Sequence, residues 1–144
     1  MDAAPDSKVL DLGSLVLFAR DADRTAAFYR ALGLPLEPER HGDGPIHHTC
    51  SLGATHVAIF AARSEADLDA APNATTPAGD HRAAGAQFFG LTVARLETAY
   101  QAALEQGAPV VQEPKRYSWG RRALVRDPDG RVVELFERPS RETE

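Results

Sequence analysis

The second half of this chain repeats the first. Gly33 and Gly107 each close an amphipathic segment, and they lie 74 residues apart. The same spacing pairs Ser14 with Phe88, Leu17 with Leu91, Pro35 with Pro109, and Glu39 with Glu113. Further along, Val57-Ala58-Ile59-Phe60 matches Val133-Glu134-Leu135-Phe136 at a spacing of 76. Two copies of one supersecondary unit can set their sheets side by side, with the helices on the outer, convex face. The inner face then becomes a cleft.

The elements of each copy follow from local chemistry. Leu15 to Ala19 is a short apolar run rich in strand formers. Asp21 or Asp23 can cap the helix that follows, which carries Phe28 and Leu32 four apart. Gly33 and Pro35 end it. Residues 34–40 predict a weak edge strand, because Pro35 and Pro38 cannot donate to a ladder. His41 to Pro45 is a turn by composition. Ile46 to Leu52 and Thr55 to Ala61 predict a hairpin about Gly53-Ala54.

In the second copy, Gln87 to Val93 reads as a strand, and Leu96, Tyr100 and Leu104 mark a helix closed by Gly107. Pro109 to Glu113 predicts a short extended piece, Tyr117 to Arg126 one strand and Arg131 to Glu137 another. Between the last two, Asp127-Pro128-Asp129-Gly130 is a turn: Asp127 can bond its backbone, Pro128 presets φ and Gly130 accepts φ > 0. The expected fold is α+β, two βαβββ modules forming a mixed half-barrel. Residues 11–137 form the domain, with modules at 11–61 and 86–137. Residues 62–85, rich in Ala, Asp, Pro, Asn and Thr, are the expected linker or lid. Residues 1–10 and 138–144 are expected as flexible termini.

A chain of 144 residues suits one domain with a real core. Its formal net charge of -5 argues against a nucleic-acid partner. Cys50 is the single cysteine, which excludes an intrachain disulfide and points to a reducing, cytoplasmic setting. Met1 to Leu10 lacks the apolar core of a signal peptide, and Leu15 to Ala19 is too short to span a bilayer.

Leu15-Val16-Leu17 through Asp21, then Ala27-Phe28-Tyr29-Arg30 and Leu32-Gly33-Leu34, resemble the first module of the vicinal-oxygen-chelate superfamily. Glyoxalases, bleomycin-resistance proteins and extradiol dioxygenases belong to it. Arg126-Asp127-Pro128-Asp129-Gly130 with Val133-Glu134-Leu135 resembles its closing hairpin, and Ser118-Trp119-Gly120 is similar to the bleomycin-resistance branch. The resemblance implies a metal held from the first and last strand of each module. Those positions here are Ser14, Ala58, Phe88 and Glu134. Only Glu134 is a good ligand, and one carboxylate does not hold a catalytic cation. The expectation is therefore no metal and no cofactor.

Strand alternation then assigns the cleft face. If Ala58 faces inward, so do Ser14, Val16, Phe18, His56 and Phe60, with His47, Thr49 and Ser51 beside them. Phe88, Glu134 and Phe136 face inward in the second module. The expected ligand-binding residues are Ser14, Phe18, His47, His56, Phe60, Phe88, Trp119 and Phe136. Rings and a few polar groups suit a small hydrophobic or aromatic molecule. The first functional expectation is sequestration or resistance by a homodimer. An alternative is a metal-independent lyase or isomerase with Glu134 as the catalytic acid or base. A second is a metal-dependent glyoxalase or dioxygenase whose site has moved to His47, His48, His56 and His81. A regulatory subunit with a degenerate site is another. Lys115, Arg116, Arg121 and Arg122 form a basic patch near Trp119, a solvated face or a steering surface for an anion.

Overall fold

The structure, a computed structural model, describes residues 7–63 and 80–140. Strand β1 (Ser14–Ala19) leads into helix α1 (Ala22–Ala31), then β2 (Glu37–Glu39), β3 (His47–Leu52) and β4 (Thr55–Ala61). The second module runs β5 (Phe89–Thr92), α2 (Leu96–Glu105), β6 (Val110–Tyr117), β7 (Gly120–Arg126) and β8 (Val132–Glu137). Each module forms its own four-stranded mixed sheet, ordered β1-β4-β3-β2 and β5-β8-β7-β6. The first and last strands pair in parallel; the others are antiparallel. Leu15 pairs with Val57 and Phe89 with Val133, so the repeat in the sequence is a repeat in hydrogen-bond register.

Turn chemistry fixes the ends of the elements. Asp21 caps α1 by accepting from the Arg24 amide at 3.1 Å. Gly33 and Gly107 adopt φ 108° and 80°, a conformation costly for other residues, and so let the chain turn back after each helix. The Gly53-Ala54 turn sets Ser51 opposite His56 and Thr49 opposite Ala58, the expected register. One expectation needs correction. Tyr117 to Arg126 is not a single strand but a hairpin that turns at Ser118-Trp119. The apolar run from Ala123 to Val125 hid that turn, which carries no Asn-Gly or Asp-Gly signal. Its first strand also runs through Pro114, tolerated because β6 is an edge strand with register shifts on both sides of Gln112.

The helix-facing sides of both sheets supply the core. Leu17, Val57, Ile59, Val133 and Leu135 are buried against Phe28, Tyr29, Leu96 and Ala103. Burying each large side chain contributes about 1.5–3 kcal/mol. The modules are joined on this side. Tyr29 donates to Asp127 at 2.6 Å, Thr25 donates to Asp129 at 2.8 Å, and the Arg20 amide donates to Asp129 at 2.9 Å. Arg131 bridges both aspartates and donates to the Phe18 carbonyl. Burial, and then the charge of Asp127, push the Tyr29 hydroxyl well above its ordinary pKa. The 127–130 turn thus has a second task beyond reversing the chain: it receives α1 and the end of β1.

Most of the 62–85 linker and the ends of both expected termini lie outside the described residues. Among the described residues, no helix is long and apolar enough to cross a membrane.

Candidate functional site

Among the described residues, no helix packs on the other face of either sheet. In module one, burial alternates along β1, with Leu17 buried while Val16 and Phe18 stand exposed, Phe18 by 54%. Phe18 lies opposite Phe60, their ring centroids 6.2 Å apart. Phe60 in turn stacks on His47 at 4.5 Å, and His47 stacks on His41 at 5.2 Å. A continuous aromatic row therefore crosses the inner face from β1 to the edge strand. Ser14 and His56 are paired, exposed residues at the other end of this face.

The row ends in a polar cluster that alternation alone did not reveal. Glu39 pairs with His47 across β2 and β3. Its carboxylate accepts from the Thr49 hydroxyl at 2.8 Å and lies 3.2 Å from His41 Nε2 and 3.7 Å from His47 Nε2. The Thr49 hydrogen bond, and then the neighbouring imidazoles, hold the Glu39 carboxyl below its ordinary pKa. The sequence held only part of the signal: Glu39 ends the edge strand, and His41 lies just beyond it at the start of the 41–45 turn, where strand alternation assigns no face. Their distance to His47 depended on edge-strand register.

The other histidines do not join this cluster. His48 points to the helix side, where Nε2 lies 2.8 Å from Asp23 and Nδ1 lies 2.7 Å from Arg30. A guanidinium has no acceptor, so Nδ1 accepts and the ring proton sits on Nε2. Both nitrogens are engaged. His81 sits against Phe88, their centroids 6.0 Å apart. The histidine set expected for a relocated metal is not assembled: His47 and His48 are on opposite faces, and His81 is with Phe88.

In module two, Glu134 lies between Gly90 and Leu124 in register, on the inner face. It packs so closely on Gly90 that a Cβ there would meet its Oε1 at 2.6 Å. Its other oxygen lies 3.0 Å from Arg122 Nε, in an ion pair whose N–H is not aimed for a hydrogen bond. The positions expected to correspond to the family's metal site do not fit a cation. Ala58 has no donor, Phe88 presents a ring, and Glu134 is matched to a guanidinium. Phe136 packs over Gly120, where a Cβ would meet its ring at 2.7 Å. Trp119 is on the β6–β7 turn, stacked on Tyr117 at 4.7 Å.

The basic patch divides between the two faces of the sheet. Lys115 and Arg122 pair on one face, Arg116 and Arg121 on the other. The latter two line a cavity of about 650 Å³ with Arg95, Arg138, Tyr117 and Glu137, at the start of α2. Arg121 is paired there with Glu97 and Glu137, and it holds the Glu97 carboxyl below its ordinary pKa chiefly by hydrogen bonding. None of the expected ligand-binding residues lines this cavity.

A family model described as Glyoxalase/Bleomycin resistance protein/Dioxygenase superfamily matches residues 11–135. No curated protein sequence matches the chain. Among solved structures, a glyoxalase-related enzyme from Fulvimarina pelagi shares 16% identity with a TM-score of 0.64, covering 91% of this chain and 90% of its own. TnmS3, an antibiotic binding protein from Streptomyces sp. CB03234, shares 18% identity with a TM-score of 0.60, covering 91% and 98%. Oxidase ChaP-H2 shares 20% identity with a TM-score of 0.63, covering 93% and 98%. At these identities the likeness is one of fold.

Proposed function

Because this chain belongs to the Glyoxalase/Bleomycin resistance protein/Dioxygenase superfamily, we propose that it binds a small hydrophobic or aromatic molecule on the inner face of its sheets. The superfamily's shared metal position takes no part, and the role is sequestration or resistance. The observation that carries this reading is the row Phe18, Phe60 and His47, with Phe18 and Val16 exposed beside it. Rings exposed on a face that no helix covers among the described residues offer area and stacking to a flat ligand. TnmS3, similar in fold, is an antibiotic binding protein, which is consistent with such a role.

An acid or base role for Glu134 has weaker support, because a substrate would first have to displace Arg122. Native mass spectrometry of protein isolated from its own host tests the binding reading. A retained small molecule is expected, and Phe18→Ala or Phe60→Ala should release it. Protein that carries nothing and fails to deplete planar aromatic compounds from solution would refute the reading. Depletion accompanied by chemical change would favour an enzyme.

A further inference from the structure

We infer that Glu39, His41 and His47 form a binding site for a first-row divalent metal of the zinc type, at the outer edge of module one and away from the superfamily's shared position. The carboxylate and the two imidazoles bring one ligand atom each to within 4.8 Å of one another. His41 Nε2 lies 3.2 Å from one carboxylate oxygen of Glu39, and His47 Nε2 lies 3.7 Å from the other. Ligands about 2.0–2.1 Å from a tetrahedral ion lie about 3.3 Å apart, so small side-chain rotations suffice to close the set on one ion.

Donor chemistry selects the metal. Two nitrogens and one carboxylate suit Zn²⁺, Co²⁺, Ni²⁺ or Fe²⁺ rather than the all-oxygen preference of Ca²⁺ or Mg²⁺. The surroundings supply what a metal site needs next. Thr49 donates to the Glu39 carboxylate at 2.8 Å, an outer hydrogen bond that orients the ligand. His47 is buried and fixed by Phe60 on one face and His41 on the other. The side chains of Glu39 and His41 are 40% and 75% exposed, so an ion there keeps an open side. Three protein ligands with an open position are the arrangement of a reactive rather than a closed structural zinc. The open side adjoins the row of Phe60 and Phe18, so a bound aromatic molecule carrying an oxygen donor could reach the ion.

The test uses the full chain, free of any histidine tag, titrated with Zn²⁺ against a chromophoric chelator and with Co²⁺ by visible absorption. One ion per chain is expected, with the Co²⁺ bands of a nitrogen- and oxygen-ligated, low-coordinate ion. His41→Ala and Glu39→Gln, both at exposed side chains, should each weaken binding by more than 100-fold. Thr49→Val should weaken it by roughly 10–100-fold, as outer-shell losses do. Glu134→Gln should leave it unchanged, which separates this site from the superfamily's position. Affinity weaker than millimolar for both ions, or affinity equal in the wild type, His41→Ala and Glu39→Gln, overturns the inference. Metal binding without retention of any aromatic molecule would refute the cleft reading alone; the converse would refute the metal site alone.

Discussion

Tyr29 on the first helix donates its hydroxyl to Asp127 in the last turn of the other module, at 2.6 Å in a buried setting. The two residues are 98 apart in sequence, so this bond exists only when both modules are folded and docked. Tyr29→Phe should therefore destabilise by about 1.5–3 kcal/mol, the range for a hydrogen bond to a charged group.

The burial of Tyr29 beside the Asp127 charge predicts an alkaline limit. Folding raises the Tyr29 pKa above its unfolded value of about 10. Its contribution is fully present below that value and is lost as pH rises through the higher folded one. Urea unfolding at about pH 7 and about pH 11 should show a larger loss in the wild type than in Tyr29→Phe. Equal losses would mean that Tyr29 does not carry the dependence.

Two glycines predict opposite outcomes. Gly120 has φ 141° and lies where a Cβ would meet the Glu137 carbonyl at 2.5 Å, so neither the backbone conformation nor the space allows alanine. Gly120→Ala should cost about 1–3 kcal/mol or more. Gly90→Ala meets chiefly the end of the Glu134 side chain, which can swing away. It should cost less than about 1 kcal/mol, as substitutions outside the core do. Thermal melts of the two variants decide this, and a Gly90→Ala protein as unstable as Gly120→Ala would show that Glu134 is fixed in place.

Glu134→Gln keeps the shape and removes the charge. The pair with Arg122 is about one-quarter exposed, so its loss should change stability by no more than about 1 kcal/mol. Ligand retention should persist, since Arg122 already occupies the carboxylate. Binding weakened by about 1.5–3 kcal/mol would instead make Glu134 a ligand contact. Binding kept with turnover lost would make it an acid or base.

A second copy should cover the open inner face of module one, where Val16 and Phe18 are exposed. The expected assembly is a homodimer with a two-fold, isologous interface. Sedimentation at micromolar concentration should show twice the 15.5 kDa chain mass. A monomer would count against it, and Phe18→Ser should then leave the sedimentation coefficient unchanged.

Local rules in the sequence determined the repeat, the order of elements and the face of nearly every strand residue. A strand has a period of two and its side chains cannot choose, so Leu17 and Ile59 are core while Phe18 and Phe60 lie on the other side. Gly33, Gly107 and the 127–130 turn were legible because each needs a backbone conformation few residues adopt. Partners across strands and modules were decided only by tertiary structure. Glu39 meets His47 because a three-residue edge strand took one register among several. Arg122 reaches Glu134 while Arg121, its neighbour, turns to Glu97, because the unrecognised hairpin at Ser118-Trp119 sets which face each one takes. Nor did the sequence reveal that Asp127 and Asp129 would receive Tyr29, Thr25 and Arg20. Those bonds join groups about a hundred residues apart, and no local propensity encodes them.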